Sequence, residues 1–491
     1  MLLTFLFLFN ILHKYPSSFC FINIKSVSCA HLNPPHEKEL PVKKILSVLV
    51  FTLVAACLVA PKFIAPKHQK EVAELVSNIN KAPGYTANIV STDLAWFGSE
   101  NKVLVTFDTM QIDPTIQEGV LEAELIIDTH YGPLLFASQG LFGLYDTEIR
   151  YTGEKQRNFI DWNEDQPLYE LSVLGGFTGN FKIADSIPAF SNPANTFQFS
   201  GYTGQGEMTD QGFIYQGTLD QIDVVDGYTP VKAEGFTLSI ELNANLATIM
   251  QGGFYDSTTD FNLEKLNIGT DTELSGLNIE MGSNLDKETQ LGSIEIGYLI
   301  KDAMFGEFKA TDLSLATELT KLSNKFFIDY KNFSDNLLAE AHSPDAVYEV
   351  LLAFMQDNLG ELLAAKPEFN ITDFSGTFPE GSFNATLTSK FADIDTPTIE
   401  ELSLPEFWLY NAIVTANLEA DEPLVRSLAE QFIASKMRAP LNAPEVKQQA
   451  LMIIDSFVQQ GLIKLEDDKY KSEIMIENGQ GKIYDSVFPL M

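Results

Sequence analysis

Thiols are nearly absent from this chain. Of its 491 residues only Cys20, Cys29 and Cys57 are cysteines, so the long stretch beyond Cys57 can hold no disulfide, thiolate nucleophile, Cys-ligated zinc or iron–sulfur cluster. Basic charge is scarce as well. Lys+Arg number 32 against 67 Asp+Glu, a formal charge of −35, and a field of that sign repels phosphate backbones and excludes nucleic acid as a partner. Long apolar runs are few, which excludes a polytopic helical membrane protein. Recognisable catalytic motifs are also missing. There is no G-x-S-x-G elbow, no Walker glycine loop leading into Lys-Ser/Thr, and no second histidine to complete His36-Glu37.

What remains is an ordinary globular composition, 45% hydrophobic and 20% charged, long enough for two or three structural units. Charge is unevenly placed. Residues 1–67 hold seven lysines and two glutamates, which leaves the acidic excess entirely in residues 68–491. Residues 45–60 carry no charge and follow Lys43-Lys44. Extended to residue 65, the segment is about 31 Å long as a helix at ~1.5 Å per residue, enough to cross a bilayer if Lys62 snorkels. Residues 42–66 are therefore expected to be a signal anchor or transmembrane helix, with the membrane as partner through residues 43–65 and the body in the periplasm.

Val54-Ala55-Ala56-Cys57 also fits the pattern that precedes a lipidated cysteine in bacterial lipoproteins, so Cys57 is a candidate lipidation site. Against that stands the apolar run continuing past it. Residues 1–41 fit neither an anchor nor a leader, since residues 2–12 are too short to span and no basic residue precedes them. Glu37-Lys38-Glu39 can be encoded by a ribosome-binding sequence, and the expected start is Val42 read as an initiator. A peptide from residues 14–36 in the intact protein would contradict this.

Beyond the anchor, Val72, Leu75, Val76 and Ile79 have helical spacing and predict a short amphipathic helix over 68–80, closed by Pro83-Gly84. From residue 85 to about 319 the apolar residues alternate, as in Phe236/Leu238/Ile240/Leu242 and Leu277/Ile279/Met281, which predicts antiparallel sheet with one wet face. Helices are expected over 344–365, from Asp421 to about Lys436, and from Asn442 to Gly461. Strands are expected at Phe383/Ala385/Leu387 and at Ile474/Ile476 before the Asn478-Gly479 turn. The fold class is α+β, a β-rich and mostly antiparallel body over 67–320 followed by a mixed α+β region over 321–491.

Lys43-Lys44 with its apolar segment, then Ala95-Trp96-Phe97-Gly98-Ser99 opening a strand, then Thr129-His130-Tyr131-Gly132-Pro133-Leu134, resemble the YdgA-like family of bacterial envelope proteins, as does the closing Gly461…Tyr470…Ile474…Asn478-Gly479. The resemblance covers most of residues 42–491. It implies an inner-membrane anchor, a periplasmic body and no catalytic residues to carry over; its positions here are Trp96, Phe97, Ser99, His130, Gly132 and Pro133. Tyr131 departs from the His-Gly-Pro order usual in that family, and the ending Tyr484-Asp485-Ser486 stands where an Asn-Gly pair is usual.

Three constellations carry candidate chemistry. His130 with Asp128 as orienter reads as a general base or metal ligand, or more plainly as a strand-end residue bonding a turn. Asp161, Asn163 and Asp165, with Glu170 nearby, have the spacing of a calcium loop, but Gln166 and Ser172 stand where an EF-hand needs glycine and glutamate, so a solvated loop is preferred. Phe407-Trp408-Leu409-Tyr410 reads as a core strand, or as an exposed patch that seats an acyl chain or partner. The expected function is a non-enzymatic interaction or lipid-handling module of the envelope without metal or cofactor. The alternatives are an envelope hydrolase or metal enzyme at His130, and a lipoprotein anchored through Cys57.

Overall fold

The computed structural model describes residues 54–80, 84–108, 119–225, 227, 229–340, 344–484 and 486–490. They form two compact units. One comprises Met1–Glu154, Pro167–Asp185 and Glu207–Asp210, and the other Lys155–Gln166, Ser186–Gly206 and Gln211–Met491.

In the first unit helix α1 (Pro61–Ile79) precedes strands β1 (Tyr85–Leu94), β2 (Gly98–Asp108) and β3 (Val120–Tyr131). A short hairpin follows, β4 (Leu134–Ala137) and β5 (Gly140–Phe142), and then β6 (Tyr145–Tyr151). After β7 (Asp161–Trp162), which belongs to the second unit, come β8 (Tyr169–Gly175) and β9 (Phe181–Ile187). Strands pair antiparallel in the order β1-β2-β3-β6-β8.

Helix α1 begins earlier than the expected residue 68. Pro61 occupies its first turn, where a missing N–H costs nothing, and residues 54–59 ahead of it are also helical. Its buried stripe is His68, Val72, Leu75 and Ile79, spaced i, i+4, i+7 and i+11, and the three aliphatic members each contribute about 1.5–3 kcal/mol. At the chain's exit from α1 the Asn80 Oδ1 accepts from the Ala87 N–H at 2.7 Å, and its Nδ2 donates to the Ala87 carbonyl at 2.8 Å. Toward the other end the Trp96 indole donates to the Leu58 carbonyl at 2.8 Å.

The second unit continues through β10 (Phe190–Ser191), β11 (Phe197–Phe199), β12 (Tyr202–Met208), β13 (Phe213–Val224) and β14 (Val231–Leu242). After helix α2 (Leu246–Gln251) come four long strands, β15 (Ser257–Ile268), β16 (Thr272–Asp286), β17 (Leu291–Phe305) and β18 (Phe308–Ser323). Helices α3 (Asn324–Glu340) and α4 (Pro344–Leu363) lead to β19 (Glu368–Phe378) and β20 (Gly381–Phe391). Two short helices, α5 (Ile399–Leu402) and α6 (Pro405–Asn411), precede β21 (Ala412–Asp421) and the pair α7 (Glu422–Met437) and α8 (Pro444–Gln459). The chain ends with β22 (Lys464–Glu466), β23 (Lys469–Glu477), β24 (Gln480–Ile483) and β25 (Ser486–Pro489). From β13 to β21 each strand pairs antiparallel with the next in sequence, so the centre of the unit is one continuous meander.

The mostly antiparallel, sheet-rich body with several helices agrees with the sequence. Helix α3 was not expected, although Phe326, Tyr330 and Phe333 stand at i, i+4 and i+7. These rings pack with Phe354 of α4, the closest pair being Phe333 and Phe354 at 4.3 Å. Among the described residues no helix is long and apolar enough to cross a membrane. Residues 43–53, the first half of the expected anchor, lie outside those described, as do Cys20 and Cys29.

Candidate functional site

Alternation of apolar and polar residues along the meander gives each strand one apolar edge, and the pairing register lines these edges up. Leu238, Phe261, Ile279, Tyr298, Leu315, Phe374, Ala385 and Leu418 share one row across β14 to β21. The row beside it runs through Ile240, Met281, Ile296, Ile371 and Leu387 on the same face. Between them, pointing the other way, stand Ser239, Asp260, Glu280 and Asp373. Eight strands at ~4.8 Å spacing make this apolar face about 34 Å wide.

The face is only partly covered. Ile240 and Leu263 are buried, and Phe254 lies over Gly292 at the end nearest α3, where its ring meets Phe327 at 4.7 Å. Farther along, Met281, Tyr298, Phe374 and Leu418 remain between 42% and 45% exposed. Single exposed apolar residues are common on proteins, but here Tyr298, Phe374 and Leu418 recur along one row with the half-buried Leu315 and Ala385 between them, and large apolar side chains gathered on one face mark a surface that meets something apolar. Along one line across the strands Gly235, Gly276 and Asp312 have φ of +70°, +62° and +51°. The apolar alternation slips by one residue there, from Phe236 to Ala233, and in β14 and β16 glycine permits the backbone that allows it.

A cleft of about 480 Å³ beside α3 and α4 is lined by Gln290, Ser323, Asn324, Lys325 and Glu361 among others. Its polar groups hold the fold together. The Asn324 Oδ1 accepts from the Phe254 N–H at 2.7 Å while its Nδ2 donates to Gln290, and the Ser323 hydroxyl donates to Glu361 at 2.6 Å. They anchor the start of α3 and leave little donor capacity for a ligand.

Of the residues singled out from sequence, Asp128 and His130 lie two apart on β3, facing away from α1. His130 is exposed and sits opposite Gly98 and Asp146 in the ladder, and Asp128 pairs with Arg150 at 3.6 Å. Burial pushes the Asp146 carboxyl upward, helped by Glu148 and opposed by His130. Asp161, Asn163 and Asp165 form a turn in which the Asn163 side chain accepts from the Asp165 N–H at 3.1 Å, and no group of acidic residues and histidines among the described residues could hold a metal. Cys57 is a free, half-buried thiol.

The expected core strand at Phe407-Trp408-Leu409-Tyr410 is overturned. These residues form helix α6, started by Pro405, with Trp408 44% and Tyr410 51% exposed. A proline at the first helical turn outweighs the strand preference of a four-residue aromatic run. Trp408 packs on Phe391 at 5.5 Å and donates to the Leu402 carbonyl.

The sequence did not single out His68. It is 5% exposed under α1, with Nε2 2.9 Å from the Thr147 hydroxyl and its ring edge-on to Tyr131 and Tyr145. Its Nδ1 is buried with no hydrogen-bond partner. Burial lowers its pKa to about 4, and burial together with Glu71 raises that of Tyr145. Gln69 extends the seam by donating to Ser99, whose hydroxyl lies 2.7 Å from that of Tyr131. The readable signal was the spacing, because His68 occupies the helix position four residues before Val72.

No curated protein and no solved structure matches the chain. A family model does, over residues 42–490, and by that match the chain belongs to a bacterial protein family of unknown function, DUF945.

Proposed function

We propose that this protein is a membrane-anchored component of the bacterial envelope that holds acyl chains or similar apolar molecules on the exposed sheet face of its second unit, without catalysing a reaction. The observation that carries this reading is the apolar row from Leu238 to Leu418, whose members in β16 to β21 include side chains left more than two-fifths exposed. The opposite face and the acidic excess keep such a body in solution while the apolar face stays available. Charge-free residues 45–60 behind Lys43-Lys44, and the resemblance to YdgA-like envelope proteins at Trp96, Phe97, Ser99, His130, Gly132 and Pro133, support an anchored, periplasmic setting.

Binding of a fluorescent fatty acid tests the proposal. A carboxylate in the middle of the face opposes apolar contact on every side, so Phe374→Asp is expected to weaken binding about tenfold, ~1.4 kcal/mol. Leu299→Asp, on the polar face, is expected to leave it unchanged. Equal binding by both variants and the parent protein would remove the site from this face.

A further inference from the structure

We infer that the end of the first unit at which α1 enters is a bilayer-seating surface, formed by the β1–β2 turn and the segment 132–144, and that it rests on the lipid surface the anchor enters. This inference rests on the reading of residues 43–65 as an anchor.

Three observations converge on that end. First, α1 and β1 run alongside each other in opposite directions. Leu58 to Asn80 is about 33 Å of helix at ~1.5 Å per residue, and Trp96 back to Ala87 is about 30 Å of strand at ~3.3 Å. With Asn80 bonded to Ala87 and Trp96 bonded to Leu58, the helical stretch that begins the described chain at residue 54 lies beside the β1–β2 turn. Second, the side chains at this end are large, apolar and exposed. Phe136 is 88%, Phe142 57% and Trp96 56% exposed, and Phe97 stands beside them at 49%. They project from a firmly built base, since Leu135 is buried, Phe142 pairs with Leu134, and the Tyr131 N–H donates to the Phe97 carbonyl at 2.7 Å.

Third, residues 132–144 contain no charged side chain, in a chain where one residue in five is charged. The one long polar side chain there, Gln139, turns inward and donates to the Ser172 hydroxyl at 2.8 Å. A water-facing loop in so acidic a protein gains from charge, whereas a lipid-facing one loses by it. Tryptophan beside the entry of a membrane segment matches the aromatic belt of membrane interfaces, and exposed phenylalanines are side chains that sink into the headgroup–acyl boundary. The same surface gathers Trp96, Phe97, Gly132 and Pro133, which the apolar sheet face of the second unit does not use.

The scarcity of thiols makes the test direct. With Cys20, Cys29 and Cys57 replaced by serine, Phe136→Cys is labelled with an environment-sensitive fluorophore in the full chain and reconstituted into phospholipid vesicles. Val120→Cys, at the other end of β3 and 64% exposed, is the control. The label at 136 is expected to be quenched by shallow nitroxide lipids at least threefold more than the label at 120, and to be protected from aqueous iodide. Equal iodide access at both positions in vesicles that retain the protein would overturn the seating surface and leave the anchor standing. Iodide protection at 136 without lipid quenching would also overturn it, in favour of contact between proteins. Failure of the parent chain to sediment with vesicles would remove anchor and seating surface together.

Discussion

Gly132→Ala is expected to destabilise the first unit by about 3 kcal/mol or more and to free the 134–142 hairpin for proteolysis. A Cβ at Gly132 would stand 1.8 Å from the Gly143 carbonyl oxygen and 2.9 Å from its carbon. Both are backbone atoms, so no rotamer change relieves the overlap. The strands must separate where the Gly132 N–H donates to Leu144 at 2.8 Å and the Gly143 N–H donates to Pro133 at 3.3 Å. Overpacking of this kind costs about 1–3 kcal/mol, and each hydrogen bond lost adds ~1 kcal/mol. Gly297→Ala is the matched control. Its Cβ would meet nothing nearer than Glu280 at 4.0 Å, and a change within ~0.5 kcal/mol is expected. Denaturant midpoints of the two variants decide the matter. Equal midpoints would mean that the close approach at Gly132 is not built as described.

Acidification from pH 7 to pH 4 is expected to loosen α1 from its sheet through His68. The imidazole has a pKa of about 4 in the folded chain against 6.5 when solvated. The unfolded chain therefore binds the proton more readily. Stability is complete above about pH 6.5, falls between there and about pH 4, and is level below. At 1.36 kcal/mol per unit the loss approaches ~3 kcal/mol. Tyr145 beside the seam and Asp146 on the other face of the sheet bear on this. Asp146, raised by its own burial, is relieved by protonation and works in the opposite direction, while Tyr145 is raised and stays neutral throughout. Comparison with His68→Gln isolates the histidine, because glutamine can keep a bond to Thr147 and does not titrate. Denaturation curves at pH 7, 5 and 4 should show the parent losing stability relative to the variant, and parallel curves would contradict the assignment.

Much of the fold was legible in the sequence because period-two alternation survives wherever a strand has one apolar face. Phe236/Leu238/Ile240 and Leu277/Ile279/Met281 both fall within single strands of the meander. The slip at Gly235 and Gly276 was not legible, since it depends on backbone angles that a hydropathy pattern does not carry. Helix α3 was missed where Phe326, Tyr330 and Phe333 followed a long strand without a break in apolar content. Trp408 was misplaced because local aromatic density says nothing of which side a helix turns to solvent.

The candidate site was half visible. Alternation identified the apolar face, but only the register shows Ile279, Tyr298, Leu315 and Phe374 lying in one row, and only the packing shows which of them stay uncovered. His68 was legible as a position on the α1 stripe, whereas its burial against Thr147 required the three-dimensional contact.

Tyr298 and Leu299 offer the most direct measurement of the central claim. They are neighbours in β17, each 42% exposed, and point to opposite faces of the sheet. A photo-crosslinking amino acid is placed at one or the other in growing cells, and the adducts are identified by mass spectrometry. The account predicts lipid or fatty-acid adducts at 298 and none at 299. Adducts at 298 made only with protein, or equal lipid labelling at the two positions, would contradict it.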